Sequence, residues 1–298
     1  MRKIRHITVE LFTMLASMLF FAGCQTHSPA SIPASQTHRF LLANNQVHVP
    51  VTISGQGPYW FIIDTGASGF GMIDASLTAT VCREVVGQVL VSDGSGKGRR
   101  ELSEVRCPDV RIGEIRLGDL ALIVADTRRT LEHDRERQGI LGLEAFRALP
   151  FAIDYPAGTV SFGPEARVTG FVNEQWALQL PSFEEGGDEI IAELIFANSA
   201  VPIVVDTGSS SGFNLPCDSI RELPTTAPWK EAGHANSFGN RYPIYDAHLI
   251  QSLNFFGHAI EQPAVRCNNH HQIGIVGYQV LQFYRLSVDL PSRLVRID

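Results

Sequence analysis

No basic stripe of the kind that grips nucleic acid runs through this chain. Its 24 Lys and Arg stand against 31 Asp and Glu, for a net charge of −7, and no nucleic-acid partner is expected. Membrane-length hydrophobic runs are missing too: the apolar stretch from Leu11 to Ala22 is too short to span a bilayer comfortably. Alternating strand-and-helix units are absent, and with them the setting in which Gly208-Ser209-Ser210-Ser211-Gly212 would serve as a nucleophile elbow. The matching first-half segment, Gly66-Ala67-Ser68-Gly69, does not keep that spacing. Gly94-Ser95-Gly96-Lys97-Gly98 is not a phosphate loop. Gly98 stands where Ser or Thr must follow the lysine, and Val91 where a glycine must precede it by six. Cysteine is scarce, and Cys267-Asn268-Asn269-His270-His271 lacks the spaced partners of a zinc site. It reads as a polar loop, and no metal or other cofactor is expected.

What the chain does have is a short motif written twice. Asp64-Thr65-Gly66-Ala67-Ser68 returns as Asp206-Thr207-Gly208-Ser209-Ser210, 142 residues later (206 − 64). Each copy follows an apolar run, Phe61-Ile62-Ile63 and Ile203-Val204-Val205. By average composition, Asp-Thr-Gly arises by chance at about one position in five thousand, so two copies in matching settings point to duplication. A second match lies downstream: Gly139-Ile140-Leu141-Gly142 answers Gly274-Ile275-Val276-Gly277 at an offset of 135 (274 − 139). From the last glycine the halves align without a gap, Asp154 with Asp289, Pro156 with Pro291 and Val160 with Val295. An acidic residue at the end of an apolar strand is costly to bury unless something satisfies it. Two in equivalent places imply that the halves meet and set the carboxyls face to face, where they share one proton.

The patterning around the motifs is mostly β. Val47–Ile53 alternates and is rich in β-branched residues, Gly55-Gln56-Gly57-Pro58 marks a turn, and Tyr59–Ile63 runs back to deliver Asp64. Glu189–Phe196 and Val201–Val205 repeat this for Asp206. Short helices are expected over Gly142–Leu149 and Gly277–Phe283, each followed by a hairpin. Many short strands with regular turns indicate an all-β fold of two similar barrel-like lobes with a cleft between them. The break between lobes is placed near Gly163–Gln175, with Trp176–Leu180 opening the second.

The N-terminus carries Arg2, Lys3 and Arg5, then the apolar stretch ending in Phe21-Ala22-Gly23-Cys24. This resembles a bacterial lipobox, in which the cysteine is lipidated and becomes the new N-terminus; a plain secretory signal is the alternative, and both mean export. Gln25, rather than Asp, after the cysteine is by the same resemblance compatible with the outer membrane, facing the periplasm. The expected organisation is a signal peptide (residues 1–23), a flexible tether (24–37), an N-terminal lobe (38–168) and a C-terminal lobe (169–298). Cys82, Cys107, Cys217 and Cys267 allow three pairings. One bridge per lobe is the simplest arrangement for an exported chain, and four buried thiols the alternative.

The doubled Asp-Thr-Gly-[Ala/Ser]-Ser, each copy followed later by Ile-Leu-Gly or Ile-Val-Gly, resembles the aspartic peptidases. The likeness is nearest to the retropepsin-like members, though with both lobes in one chain as in pepsin. The resemblance implies an acid-protease fold, a monomer, and an aspartic endopeptidase acting on a peptide or protein substrate without cofactor. A peptide-binding envelope lipoprotein that has lost effective catalysis is the alternative. Asp64 and Asp206 would hold the attacking water. Thr65 and Thr207 would bond across to the opposite loop, Gly66 and Gly208 bring amides to the carboxylates, and Gly142 and Gly277 pack beneath. Ser209 is expected to bond Asp206 and favour its anion, which Ala67 cannot do for Asp64. Asp64 is then the more readily protonated partner, and activity extends to less acidic pH than pepsin's. Ser92–Gly98 is the candidate flap, and Gly233–Tyr245 its second-lobe equivalent, with Phe238 and Tyr242 as candidate substrate contacts.

Overall fold

The computed structural model describes residues 36–92, 95, 99–131, 136–168, 189–196, 199–237 and 240–298. Cys24, the signal peptide, most of the tether, Trp176–Leu180 and Phe238 lie outside the described residues. The first half runs β1 (Gln36–Arg39), β2 (Leu41–Ala43), β3 (Gln46–Ile53), β4 (Gln56–Asp64), β5 (Gly71–Asp74), helix α1 (Ala75–Val81), β6 (Glu84–Ser92), β7 (Arg99–Ile112), β8 (Ile115–Ala125), β9 (Arg129–Thr130), β10 (Glu136–Gly142), β11 (Phe151–Asp154) and β12 (Thr159–Phe162). The second runs β13 (Ile191–Phe196), β14 (Ser199–Val205), β15 (Phe213–Pro216), α2 (Cys217–Ile220), β16 (Lys230–Ser237), β17 (Asn240–His248), β18 (Leu253–Phe255), β19 (His258–Ile260), β20 (Ala264–Asn268), β21 (Gly274–Val276), α3 (Tyr278–Leu281), β22 (Arg285–Asp289) and β23 (Leu294–Ile297).

Both lobes have the same sheet order, and the fold is the all-β, two-lobed acid-protease type. In the first, β4 pairs in parallel with β10, β10 antiparallel with β5, and β5 in parallel with β8. In the second, β14, β21, β15 and β20 repeat those pairings and directions. Strands β4 and β14 are therefore interior, and their apolar runs are covered on both faces; this is why Phe61–Ile63 and Ile203–Val205 are continuous rather than alternating. The long hairpin β6–β7 in the first lobe corresponds by sheet position to β16–β17 in the second. Gly142–Leu149 contains a 3-10 turn, Leu143–Phe146, rather than an α-helix. Phe146 packs tilted against Phe151 at 4.5 Å between ring centroids and anchors the turn in the core.

A further sheet, ordered β1-β12-β11-β22-β23, joins the halves. Phe151 pairs with Val288, Ala152 with Ser287, and Ile153 with Leu286. At the offset of 135 these pairs map onto one another, so a pseudo-twofold axis passes between Ala152 and Ser287. Arg285 binds Asp154 across the seam, Nη1 to Oδ2 at 3.5 Å. Both lobes fall within one compact unit that extends from Pro33 to Asp298.

The disulfides break this symmetry. Cys82, after α1, is bonded to Cys107 on β7, whereas Cys217, at the start of α2, is bonded to Cys267 on β20. Beyond Cys267 the polar loop is held by Asn268, whose Oδ1 accepts from the amides of His270 and His271 at 2.8 and 2.9 Å.

Candidate active site

Strands β4 and β14 end side by side, and the two motif loops interlock. The Thr65 hydroxyl donates to the carbonyl of Val205 at 2.6 Å, and its oxygen accepts from the amide of Thr207 at 3.1 Å. Thr207 returns both bonds, to the carbonyl of Ile63 at 2.7 Å and from the amide of Thr65 at 3.0 Å. Both threonines are buried, so each hydroxyl is satisfied by the opposite lobe. This ties the lobes together directly beneath the aspartates.

The glycines explain why nothing larger fits beside them. A Cβ on Gly66 would lie 2.5 Å from Cγ of Asp206, and one on Gly208 would overlap the carboxyl of Asp64. Each lobe's glycine thus faces the other lobe's aspartate. Within each loop the amides turn inward. Gly66 donates to Oδ1 of Asp64 at 3.0 Å, and Gly208 and Ser209 donate to Oδ1 of Asp206 at 2.8 and 3.0 Å.

Beneath the loops a second set of hydrogen bonds repeats. Gly142, Leu143 and Glu144 donate to the carbonyls of Phe70, Ala67 and Gly69; Gly277, Tyr278 and Gln279 donate to those of Gly212, Ser209 and Ser211. A Cβ on Gly142 would meet the Gly69 carbonyl at 2.5 Å, and one on Gly277 the Ser209 carbonyl at 2.5 Å. The paired Ile-Leu-Gly and Ile-Val-Gly segments are therefore the platforms on which the motif loops rest.

Asp64 and Asp206 keep partly exposed edges, yet their carboxyls lie deep and within hydrogen-bonding contact of each other. Burial pushes Asp206 well above the usual carboxylate range, and the neighbouring charge of Asp64 adds to it. Burial also raises Asp64, but the hydrogen bond from Asp206, the amides of Gly66 and Ala67, and the field of Arg137 work against the rise. The pair can therefore hold one proton and one negative charge between them.

The expected role of Ser209 is corrected here. Its Oγ lies 2.7 Å from Oγ of Ser211 and accepts from the Ser211 amide at 3.3 Å; the backbone amide of Ser209 is what reaches Asp206. The expected bias toward protonation of Asp64 loses its basis with it, since burial raises both carboxyls. After the Asp206 hydrogen bond and the two amides, a cation on the first lobe also lowers Asp64, and the motif itself does not contain it.

That cation is Arg137 on β10. Its Nε donates to the carbonyl of Thr127 at 2.8 Å, and Nη1 to Oε1 of Gln46 at 3.1 Å. Gln46 in turn donates from Nε2 to the carbonyl of Gly208 at 2.6 Å, in the other lobe's motif loop. Beside Gln46, His48 is fully buried, with Nδ1 donating to the carbonyl of Gln46 at 2.9 Å. Burial is the main cause that lowers His48 to about 4. Tyr155, on the interlobe hairpin, is raised by burial and by its nearness to Asp206, Tyr278 and Asp64. None of these four follows from the motif. The only sequence signals were a glutamine and a histidine in an apolar strand, and an arginine just before Gly139.

The candidate flap Ser92–Gly98 joins β6 to β7, which pair as far as Ser92 with Arg99; of its interior only residue 95 is described. In the second lobe, Tyr242 on β17 stacks on His270 at 4.2 Å, within its own lobe. Among the described residues, no group of three or more His, Cys, Asp or Glu could hold a metal ion.

Residues 49–145, from β3 through the first platform, match the family model described as aspartyl protease. No curated protein matches the chain significantly. The match covers the Asp64 lobe, and the Asp206 lobe repeats its strand order, its Asp-Thr-Gly loop and its glycine platform. The first half of the chain is thus similar to the aspartyl proteases over residues 49–145, and the site it builds with the second half is of the retropepsin-like kind.

Proposed function

We propose that the protein is an aspartic endopeptidase that hydrolyses peptide bonds with a water activated between Asp64 and Asp206. The observation that carries this reading is the buried pair of carboxyls, both raised by burial, each bonded by amides of its own loop and faced by the other lobe's glycine. In the reaction the ionised carboxylate takes a proton from the water, and the protonated carboxyl donates to the scissile carbonyl oxygen. The resulting tetrahedral diol collapses as the amine leaves with a proton, and the dyad returns to its singly protonated state. The peptide lies extended across the loops and pairs strand-like with the protein. The β6–β7 hairpin closes over it as a flap.

The test is cleavage of an unstructured peptide mixture from acid to neutral pH, by the parent protein and by Asp64→Asn and Asp206→Asn. Cleavage lost in both variants supports the reading. Peptide binding without cleavage by the parent at any pH would instead favour the binding-module alternative.

The proposed setting is the bacterial envelope, with Cys24 lipidated and the protein a monomer held at the outer membrane, facing the periplasm. The lipobox-like Phe21-Ala22-Gly23-Cys24 supports this. Cys24→Ser should move the protein from the membrane fraction to the soluble fraction, and sedimentation of the detergent-solubilised chain should give the monomer mass. Unchanged membrane association of Cys24→Ser would overturn the anchor.

A further inference from the structure

The network around Arg137 joins the two lobes beside the dyad. Asp74 starts it: Oδ2 accepts from the amides of Thr127 and Arg128 at 3.2 and 3.0 Å, and Oδ1 from the amide of Ser76 at 3.0 Å. Asp74 is buried, and although burial works against its charge, these donors hold it below the usual carboxylate range. The segment Thr127–Arg128 is thereby pinned to the start of α1. The carbonyl of Thr127 then fixes Nε of Arg137. The other end of the guanidinium meets Gln46, which stands level with Asp64, since His48 two residues on pairs with Ile62 two residues before the aspartate. Gln46 has one orientation that satisfies both neighbours: Oε1 accepts from Arg137 while Nε2 donates to Gly208.

We propose that Arg137 is a positioning residue for the proposed peptidase reaction: held by Thr127 and Gln46, it biases the shared proton onto Asp206 and leaves Asp64 as the base. The inference rests on the reading of Asp64 and Asp206 as a proton-sharing pair. A fixed positive charge on one side of two otherwise equivalent carboxyls favours the anion on the nearer one. The motifs alone leave the pair nearly symmetric, since each aspartate accepts backbone amides of its own loop. The charged and titratable groups that act on the guanidinium are Asp64 from β4, His48 from β3, Asp126 from the segment after β8, and Arg129 from β9. Asp64 and Asp126 favour its charge, while burial and Arg129 oppose it. His48, lowered to about 4, is neutral over most of the working range and leaves the arrangement intact. Asp64 is faced in addition by Asp206 and Arg137, and Tyr155 lies near both aspartates. Arg128, one residue further along, is paired with Glu136 and Asp74.

The test uses the full chain in detergent, as the parent protein and as Arg137→Met, Arg137→Lys and Gln46→Met. Two readouts are taken: 13C-carboxyl NMR titration of aspartate-labelled protein, with Asp64 and Asp206 assigned through their Asn variants, and the pH profile of kcat/KM on a cleaved peptide. In Arg137→Met the ionisation of Asp64 should move up by about one unit. The acid limb of the profile should follow, for about a tenfold loss of kcat/KM at a pH below the limb. Arg137→Lys keeps the charge and should restore most of the parent limb. Gln46→Met should shift it in the same direction as Arg137→Met but less. A limb and a carboxyl titration unchanged in Arg137→Met would overturn the proposal, as would an equal shift in Arg137→Lys. Thermal unfolding of each variant separates these results from misfolding. If no protein cleaves peptide while the Asp64 carboxyl still shifts in Arg137→Met, the proton-placement proposal stands and the peptidase reading falls.

Discussion

Gly208 lies against the carboxyl of Asp64, so closely that a single added methyl would occupy the space of the carboxylate. The converse holds for Gly66 and Asp206, at 2.5 Å from the built Cβ to Cγ. The second position of each Asp-Thr-Gly after the aspartate is thus set by the residue of the opposite lobe, not by its own backbone, because neither glycine lies in the left-handed region.

Gly208→Ala should therefore damage the site more than the fold. The methyl must displace Asp64 from its place beside Asp206, and a misplacement of about 1 Å costs on the order of a hundredfold in rate. Overpacking at the loop should lower stability by about 1–3 kcal/mol. The control is Gly87→Ala on β6, where an added Cβ meets nothing within 4 Å. Peptide cleavage and urea unfolding on both variants decide this; equal activity in the two would show that the loop yields freely.

Thr207→Val should separate the lobes at their base. It removes the hydroxyl that donates to Ile63 and accepts from Thr65, leaving two buried backbone groups without partners. The expected loss is about 2–4 kcal/mol of stability, together with most of the activity. Thr207→Ser keeps the oxygen and should lose much less. Denaturant midpoints for the pair of variants provide the measurement.

The dyad should leave a signature in stability against pH. A carboxyl raised above its unfolded value favours the folded state at low pH, and loses that advantage as pH rises from about 4 through the raised value. Asp206 is raised by burial and by Asp64. Asp206→Asn removes the second charge, so its melting temperature should approach the parent's near pH 4 and exceed it increasingly toward neutral pH. Parallel melting curves across that range would show that the two carboxyls do not share a proton.

His48 should act with the opposite sign. Its folded value of about 4 lies below the ordinary 6.5, so the unfolded chain binds more protons between these limits. Stability is then fully present above about 6.5 and is lost as pH falls toward 4, by on the order of 2–3 kcal/mol. His48→Met should flatten that slope in denaturant titrations taken across the window, even if its stability at neutral pH is lower for want of the bond to the Gln46 carbonyl.

The strand that carries Asp64 and the hairpin that precedes it are legible because their instructions are local. Val47, Val49, Val51 and Ile53 alternate, the turn after Ile53 is glycine-rich, and Phe61–Ile63 is an unbroken apolar run. The platform glycines were legible through repetition: Gly142 and Gly277 occupy the same step in both halves. Ser209 misled because only the folded loop shows its hydroxyl beside that of Ser211, 2.7 Å away, rather than on Asp206. Arg137 and Gln46 could not be read as partners, because 91 residues separate them and nothing in either neighbourhood names the other.

By itself the amino-acid sequence determined the duplication, the all-β patterning, and the two aspartates with their threonines and glycines. These are written as local periodicity and as motifs repeated at matching offsets, so they need no knowledge of what touches what. Tertiary structure alone decided that each glycine faces the other lobe's carboxyl, and how the four cysteines pair. It also set a half-buried arginine against one side of a nearly symmetric pair. Those outcomes depend on contacts between residues far apart in the chain, and on burial, which strengthens charge interactions that water would otherwise weaken. The two motifs are close to equivalent as sequences; the charge of Arg137, which the fold brings to bear on Asp64, is written in neither.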